Sequence, residues 1–195
     1  MNYTYIFSMT FFGLVVFAIL PGETSAQGQV TANDKEVAAN QKFLRRAIEL
    51  SARASLEYST GGVFGAVLVK DGKIVSEGMN RVVASHDPTW HAEMEAIRSA
   101  SVTLQTYKLG DCTLYTSAEP CPMCLATCYW AGIKNIYYGA SVGDALKYGN
   151  FNDQPIYEQL ALPKEKRSIT MKQMLQSEAV EVWKKYQAKP DKIQY

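Results

Sequence analysis

The chain of 195 residues contains no internal repeat, no low-complexity tract and no surplus of either charge, with 20 Lys and Arg against 19 Asp and Glu. Those absences leave an ordinary globular protein, long enough for one well-cored domain and too short for two large ones. The balanced charge argues against a nucleic-acid surface, and the C-terminal Lys184, Lys185, Lys189 and Lys192 read as the wet face of a helix. Histidine and cysteine are scarce, two and four in number, so any chemistry they carry must lie in their spacing.

Charge is missing altogether from Ile6 to Leu20, where the chain reads "IFSMTFFGLVVFAIL". Pro21-Gly22 break that run, and Thr24-Ser25-Ala26 place small residues before Gln27. The layout predicts a signal peptide over residues 1–26, cut after Ala26, and so a protein exported to the periplasm or secreted, although "MNYTY" lacks the Lys or Arg usual ahead of such a core. The run is shorter than the roughly 20 residues a spanning helix needs, so no stable membrane anchor is expected once the signal is removed.

The mature residues 27–195 alternate helical and strand patterns. Apolar Phe43, Leu44, Ile48 and Leu56 suit an amphipathic helix starting near Asn33 or Asp34. Two β-rich arms, Val63–Val69 and Lys73–Ser76, flank an Asp71-Gly72 turn signal and predict a hairpin. Asp87 with Pro88 behind it predicts a helix running to about Val102. A strand over Cys112–Ser117, a helix from Pro120 stopped by Gly132, and a strand in "IKNIYYGA" complete a βαβ unit. Residues 144–170 look irregular apart from a short helix at Tyr157–Leu162, "SITMKQML" offers an edge strand, and "SEAVEVWKKYQAK" a last helix. The expected fold is a three-layer α/β/α sandwich around a mixed sheet of about five strands.

Cys121 and Cys124 form Cys-x-x-Cys at a helix start, a spacing that serves a metal half-site, a redox pair or a disulfide. His91 separates these readings, because it too begins a helix that follows the sheet. One imidazole and two thiolates are three ligands that zinc prefers, with water as the fourth. Glu93, two residues past the histidine, can then shuttle protons between water and a leaving amine. Cys128 lies a full helical turn beyond Cys124, too far along the axis to join the same ion easily, so Cys112 and Cys128 read as buried small hydrophobes or at most a pair. Glu95 reads as a structural or solvated helix residue.

The order His91-Ala92-Glu93, then Pro120-Cys121-Pro122-Met123-Cys124, matches the H-x-E…P-C-x-x-C signature of zinc deaminases. With Phe64-Gly65-Ala66-Val67, "HDPTWHAE", "LYTSAEPCPMC" and "YWAGIKNIYYGA", the chain resembles the cytidine and deoxycytidylate deaminase superfamily, and within it the bacterial guanine deaminases. The resemblance implies zinc on His91, Cys121 and Cys124, proton transfer by Glu93, and base contacts from Asn80, Asp153 and the backbone of Ala92 and Cys121. It further implies apolar and stacking walls from Phe64 and Trp130, and a homodimer whose C-terminal segment, 171–195, carries Tyr195 into the partner's site. Val63 departs from the pattern, standing where such relatives usually have Pro, and an export signal departs from it too. The reaction implied is hydrolysis of an amino-purine, guanine to xanthine and ammonia, with a small nucleobase rather than a nucleic acid as partner. A tRNA adenosine deaminase, a deaminase of cytosine, pterin or triazine, and a noncatalytic zinc-stabilised domain are the alternatives.

Overall fold

A computed structural model of the chain describes residues 31–194, so the expected signal peptide and Tyr195 lie outside the described residues. Thr31 opens α1 (Ala32–Ala52) with a reciprocal capping box: its hydroxyl accepts the Asp34 N–H at 3.1 Å, and the Asp34 carboxylate accepts the Thr31 N–H at 3.0 Å. The helix buries Phe43, Ala47 and Leu50 and widens into a π-helical turn at Arg53–Glu57.

Next comes the hairpin, β1 (Gly65–Lys70) and β2 (Lys73–Met79), closed by Asp71 and Gly72, both left-handed at φ 51° and 70°. Two consecutive left-handed residues give the turn whose twist matches the strands, which is why Asp-Gly was a reliable signal. A short helix, α2 (Val82–Ser85), and a turn lead to α3 (Ala92–Leu104). The chain continues through β3 (Thr113–Ala118), α4 (Pro122–Ala131), β4 (Asn135–Ala140), α5 (Val142–Gly149), α6 (Gln154–Ala161) and α7 (Gln176–Ala188).

The sheet runs β2-β1-β3-β4, with β1 antiparallel to both neighbours and β3 parallel to β4. Side chains alternate across it with the period of a strand. Val67, Val69 and Tyr115 face α1 and pack with Phe43 and Leu50, whereas Ala66, Leu68 and Leu114 face α3 and α4 and pack with Ala96, Ile97, Cys112 and Cys128. Three layers and a mixed sheet are as expected. Cys112 and Cys128 are buried free thiols in the second cluster. Among the described residues no helix is long and apolar enough to cross a membrane.

Three expectations are corrected. The described sheet has four strands, since Met171–Leu175 form no ladder; Ile169, Met171 and Met174 are exposed, and Leu175 takes a left-handed backbone at φ 53°. The helix expected from Asp87 starts at Ala92 instead, because Asp87 Oδ1 accepts both the N–H and the hydroxyl of Thr89 at 2.7 Å and ties residues 87–90 into a turn. Residues 144–170 are largely helical. Ser141 and Asp144 form a capping box that starts α5, and α6 begins at Gln154, ahead of the short helix expected at Tyr157.

Candidate active site

His91 and Cys121 are the N-cap residues of α3 and α4, both with extended backbone at φ/ψ of −76°/158° and −64°/168°. Neither side chain caps its helix, so both are available to face the gap between the two helix starts. Cys124 joins them from the first turn of α4, fully buried. The Sγ atoms of Cys121 and Cys124 are 3.6 Å apart, and His91 Nδ1 lies 3.4 Å from the first and 3.5 Å from the second. Tetrahedral zinc with bonds of about 2.3 Å to sulfur and about 2.0 Å to nitrogen separates such donors by roughly 3.6–3.8 Å. The triangle fits that ion, with Nδ1 as the ligand nitrogen.

Its electrostatics fit a cation as well. The thiol of Cys124 hydrogen-bonds Cys121 and pulls the Cys121 thiol down to about 4, with His91 and the Cys124 N–H adding to the effect. Cys124 keeps the shared proton and is pushed upward by that bond, by burial and by Glu93. Its bond to Cys121 raises His91. A divalent ion among these donors displaces the shared proton, as binding to thiolates requires.

Glu93, the second residue of α3, is only 3% exposed. Burial raises its carboxyl above the usual carboxylate range. Thr116 Oγ1 donates to Oε1 at 3.0 Å, and Oε2 lies 3.5 Å from the Cys124 sulfur. Thr116 escaped the sequence reading, although a hydroxyl within the buried run "TLYTSA" is its signal. Glu95 is structural: its carboxylate accepts the Met79 N–H at 2.7 Å and pairs with Arg81 at 3.2 Å.

Above these residues opens a cavity of about 550 Å³, lined by His91, Glu93 and Cys121 together with Asn80, Phe64 and Asp153. Asn80 is 4% exposed, and its side-chain oxygen accepts the N–H groups of Gly62 and Val82, each at 3.2 Å. The amide NH₂ is therefore what Asn80 presents to a ligand. Thr60 holds the Asn80 carbonyl at 2.7 Å, and a methyl group built on Gly61 would overlap the Asn80 side-chain oxygen. Burial raises the Asp153 carboxyl, with Cys121 adding and His91 opposing. Phe151, also missed by the sequence reading, meets Phe64 edge-on at 4.9 Å and completes the apolar wall. Ala92 is fully buried at the start of α3.

Trp130 is not in this cavity. It is 75% exposed at the far end of α4 and lines a separate surface depression with Val182, Trp183, Tyr186, Ile193 and Gln194. Its place on α4 follows from the helix period, nine residues past Cys121, which carries it away from the ligand end.

Residues 37–140 match the cytidine and deoxycytidylate deaminase zinc-binding region. The chain belongs to the cytidine and deoxycytidylate deaminase family. This deaminase is therefore a zinc-dependent aminohydrolase, and His91, Cys121 and Cys124 are a group of donors that could hold its ion. It is 44% identical over 155 residues to the guanine deaminase of Bacillus subtilis, which covers 78% of this chain and 98% of that one. The crystal structure of the Bacillus subtilis enzyme superposes with a TM-score of 0.76 at 43% identity, over 80% of this chain and 98% of that one. The guanine deaminase of Nitrosomonas europaea superposes with a TM-score of 0.53 at 30% identity, over 61% and 72% of the two chains. The tRNA-specific adenosine deaminase of Haemophilus influenzae is 39% identical over 52% of this chain and 58% of its own.

The first of these matches corrects one expectation. Because 155 aligned residues account for 98% of the Bacillus subtilis enzyme, nearly all of that relative corresponds to the deaminase region of this chain, and too few of its residues lie outside the match for a leader like the one expected over residues 1–26. The deaminase is accordingly not assigned to the periplasm or the medium.

Proposed function

We propose that this deaminase converts guanine and water to xanthine and ammonia. The observation that carries the reading is the single cavity in which the buried carboxyl of Glu93 lies with the fixed donor edge of Asn80 and the carboxylate of Asp153. The likeness to guanine deaminases over nearly their whole length supports it.

Zinc, when bound, supplies Lewis acidity and a water of lowered pKa. The chain's residues do the rest. Glu93 takes a proton from the attacking water as a C–O bond forms at the amino-bearing ring carbon. It passes protons to the ring nitrogen and then to the amine, which leaves as ammonia when the C–N bond breaks. Asn80 donates to an acceptor on the ring, and Asp153 accepts from neighbouring N–H groups on the opposite edge. Adenine lacks that donor pair, and leaving the partly buried Asp153 carboxylate unpaired penalises it. Phe64 and Phe151, packed edge-on against each other, form one apolar wall against the base.

The domain over residues 27–195 acts as a homodimer in this reading. Trp130 and the C-terminal residues Trp183 and Ile193 share one exposed apolar depression away from their own cavity, which supports their delivery, with the segment 171–195 and Tyr195, to a neighbouring subunit. The test offers purified protein guanine, adenine, cytosine, cytidine and an anticodon stem-loop, and measures ammonia release for wild type and Glu93→Gln. Release from guanine, lost in the variant, is expected; turnover of the RNA alone would overturn the proposal in favour of tRNA adenosine deamination.

A further inference from the structure

The carboxylate of Asp153 lies on a part of the molecule with little packing of its own. Asp153 is the N-cap of α6, yet α6 buries no residue, and Ile156 and Leu160 are exposed. Tyr157 is half-buried, and its side chain ties α6 to the stretch that leads into Cys121. Its hydroxyl donates to the Pro120 carbonyl at 3.1 Å, and Pro120 immediately precedes the ligand Cys121. Its own backbone N–H donates to the Asp153 carbonyl at 3.3 Å, so Tyr157 and Asp153 sit one helical turn apart and move as one piece.

The preceding helix is fixed to the same short stretch. The Glu119 carboxylate accepts the Val142 N–H at 3.1 Å, and the Glu119 N–H donates to the Ala140 carbonyl at 2.8 Å. Both helices that bracket Asn150–Asp153 are thus fastened to Glu119-Pro120, the two residues ahead of the zinc loop.

We propose that Tyr157 is a positioning residue, whose hydroxyl bond to Pro120 sets the Asp153 carboxylate at a fixed place relative to Cys121 and His91 and thereby tunes purine recognition. The proposal rests on the reading that Asp153 contacts the base. A displaced carboxylate weakens the bound ground state and the transition state alike, so it raises KM and leaves kcat nearly alone.

The experiment compares Tyr157→Phe, Asp153→Asn and the double variant, measuring kcat and KM for guanine and zinc per subunit. Tyr157→Phe should raise KM about tenfold, with kcat held within about twofold and zinc content unchanged, as befits loss of one hydrogen bond. Asp153→Asn should raise KM further, and adding Tyr157→Phe to it should change little, because the two act through one carboxylate. An unshifted KM in Tyr157→Phe, additive effects in the double variant, or loss of zinc together with kcat would overturn the proposal. If wild type turns over other bases and not guanine, the substrate reading falls first and the proposal falls with it.

Discussion

His91, Glu93 and Cys124 stand on helices backed by the sheet, whereas Phe151 and Asp153 stand between helices that bury nothing. The first region adjoins the Ala66, Leu68 and Leu114 cluster through Ala92 and Cys128, and Glu93 and Cys124 are buried there. The second, from Ser141 onward, has exposed α5, α6 and α7 and depends on single hydrogen bonds such as Tyr157 to Pro120. Reaction chemistry needs donors fixed within a few tenths of an ångström and a dry carboxyl, which only the interior supplies. Base recognition tolerates a softer wall, and a softer wall lets the deaminase family change substrate while its chemistry stays put.

Substitutions on the two sides should part sharply. Cys124→Ala removes a buried ligand and should abolish both zinc binding and ammonia release; metal analysis showing full zinc would break the contrast at its strongest point. Glu93→Gln keeps the shape and should keep zinc while lowering kcat by about 10³-fold, the usual scale for losing a general acid–base. Asp153→Asn, on the soft side, should raise KM for guanine about 30-fold with kcat and melting temperature nearly unchanged. A melting temperature lowered as far as that of Cys124→Ala would show that the second region is as integral as the first.

The smallest effect comes from neither region. Arg46 donates to both oxygens of Glu77 at 2.7 Å, tying α1 to β2 at the surface. Arg46→Met should cost about 0.5 kcal/mol, since both side chains are partly solvated. The guanidinium lowers the Glu77 carboxyl below its ordinary value, so the pair stabilises the fold above that value and fades as pH falls through the lowered one. Unfolding at pH 7 and pH 3 should therefore show the gap between wild type and variant closing at the acid end.

The sheet-backed region was also the legible one. Alternation in β1 and β3, the Asp-Gly turn and the Gly132 stop are local signals, and the two half-motifs name the zinc ligands by spacing alone. The exposed region was legible only in pieces. α5 contains two glycines and was read as irregular, although its Ser141–Asp144 box was present, and the period-two look of "SITMKQML" found no sheet edge to join. Asp87-Pro88 imitates a helix start, and only the competing bond to Thr89 shows otherwise. Trp130 on the sequence is equally a stacking wall and a core residue, and it is neither, lying 75% exposed at the end of α4 away from the cavity. Asn80 was singled out only through the resemblance, and its orientation depends on the remote N–H of Gly62.

The donors of the zinc triangle come from positions 30 and 33 residues apart along the chain. An ion held among them is therefore also a crosslink. Tying a loop of that length removes conformational freedom from the unfolded chain worth about 4 kcal/mol by the entropy of loop closure. The same three side chains thus join α3 to α4 in the manner of a staple, and the metal-free chain should refold with these two helices, which share one face of the sheet, less firmly registered against each other than α1 is against the opposite face.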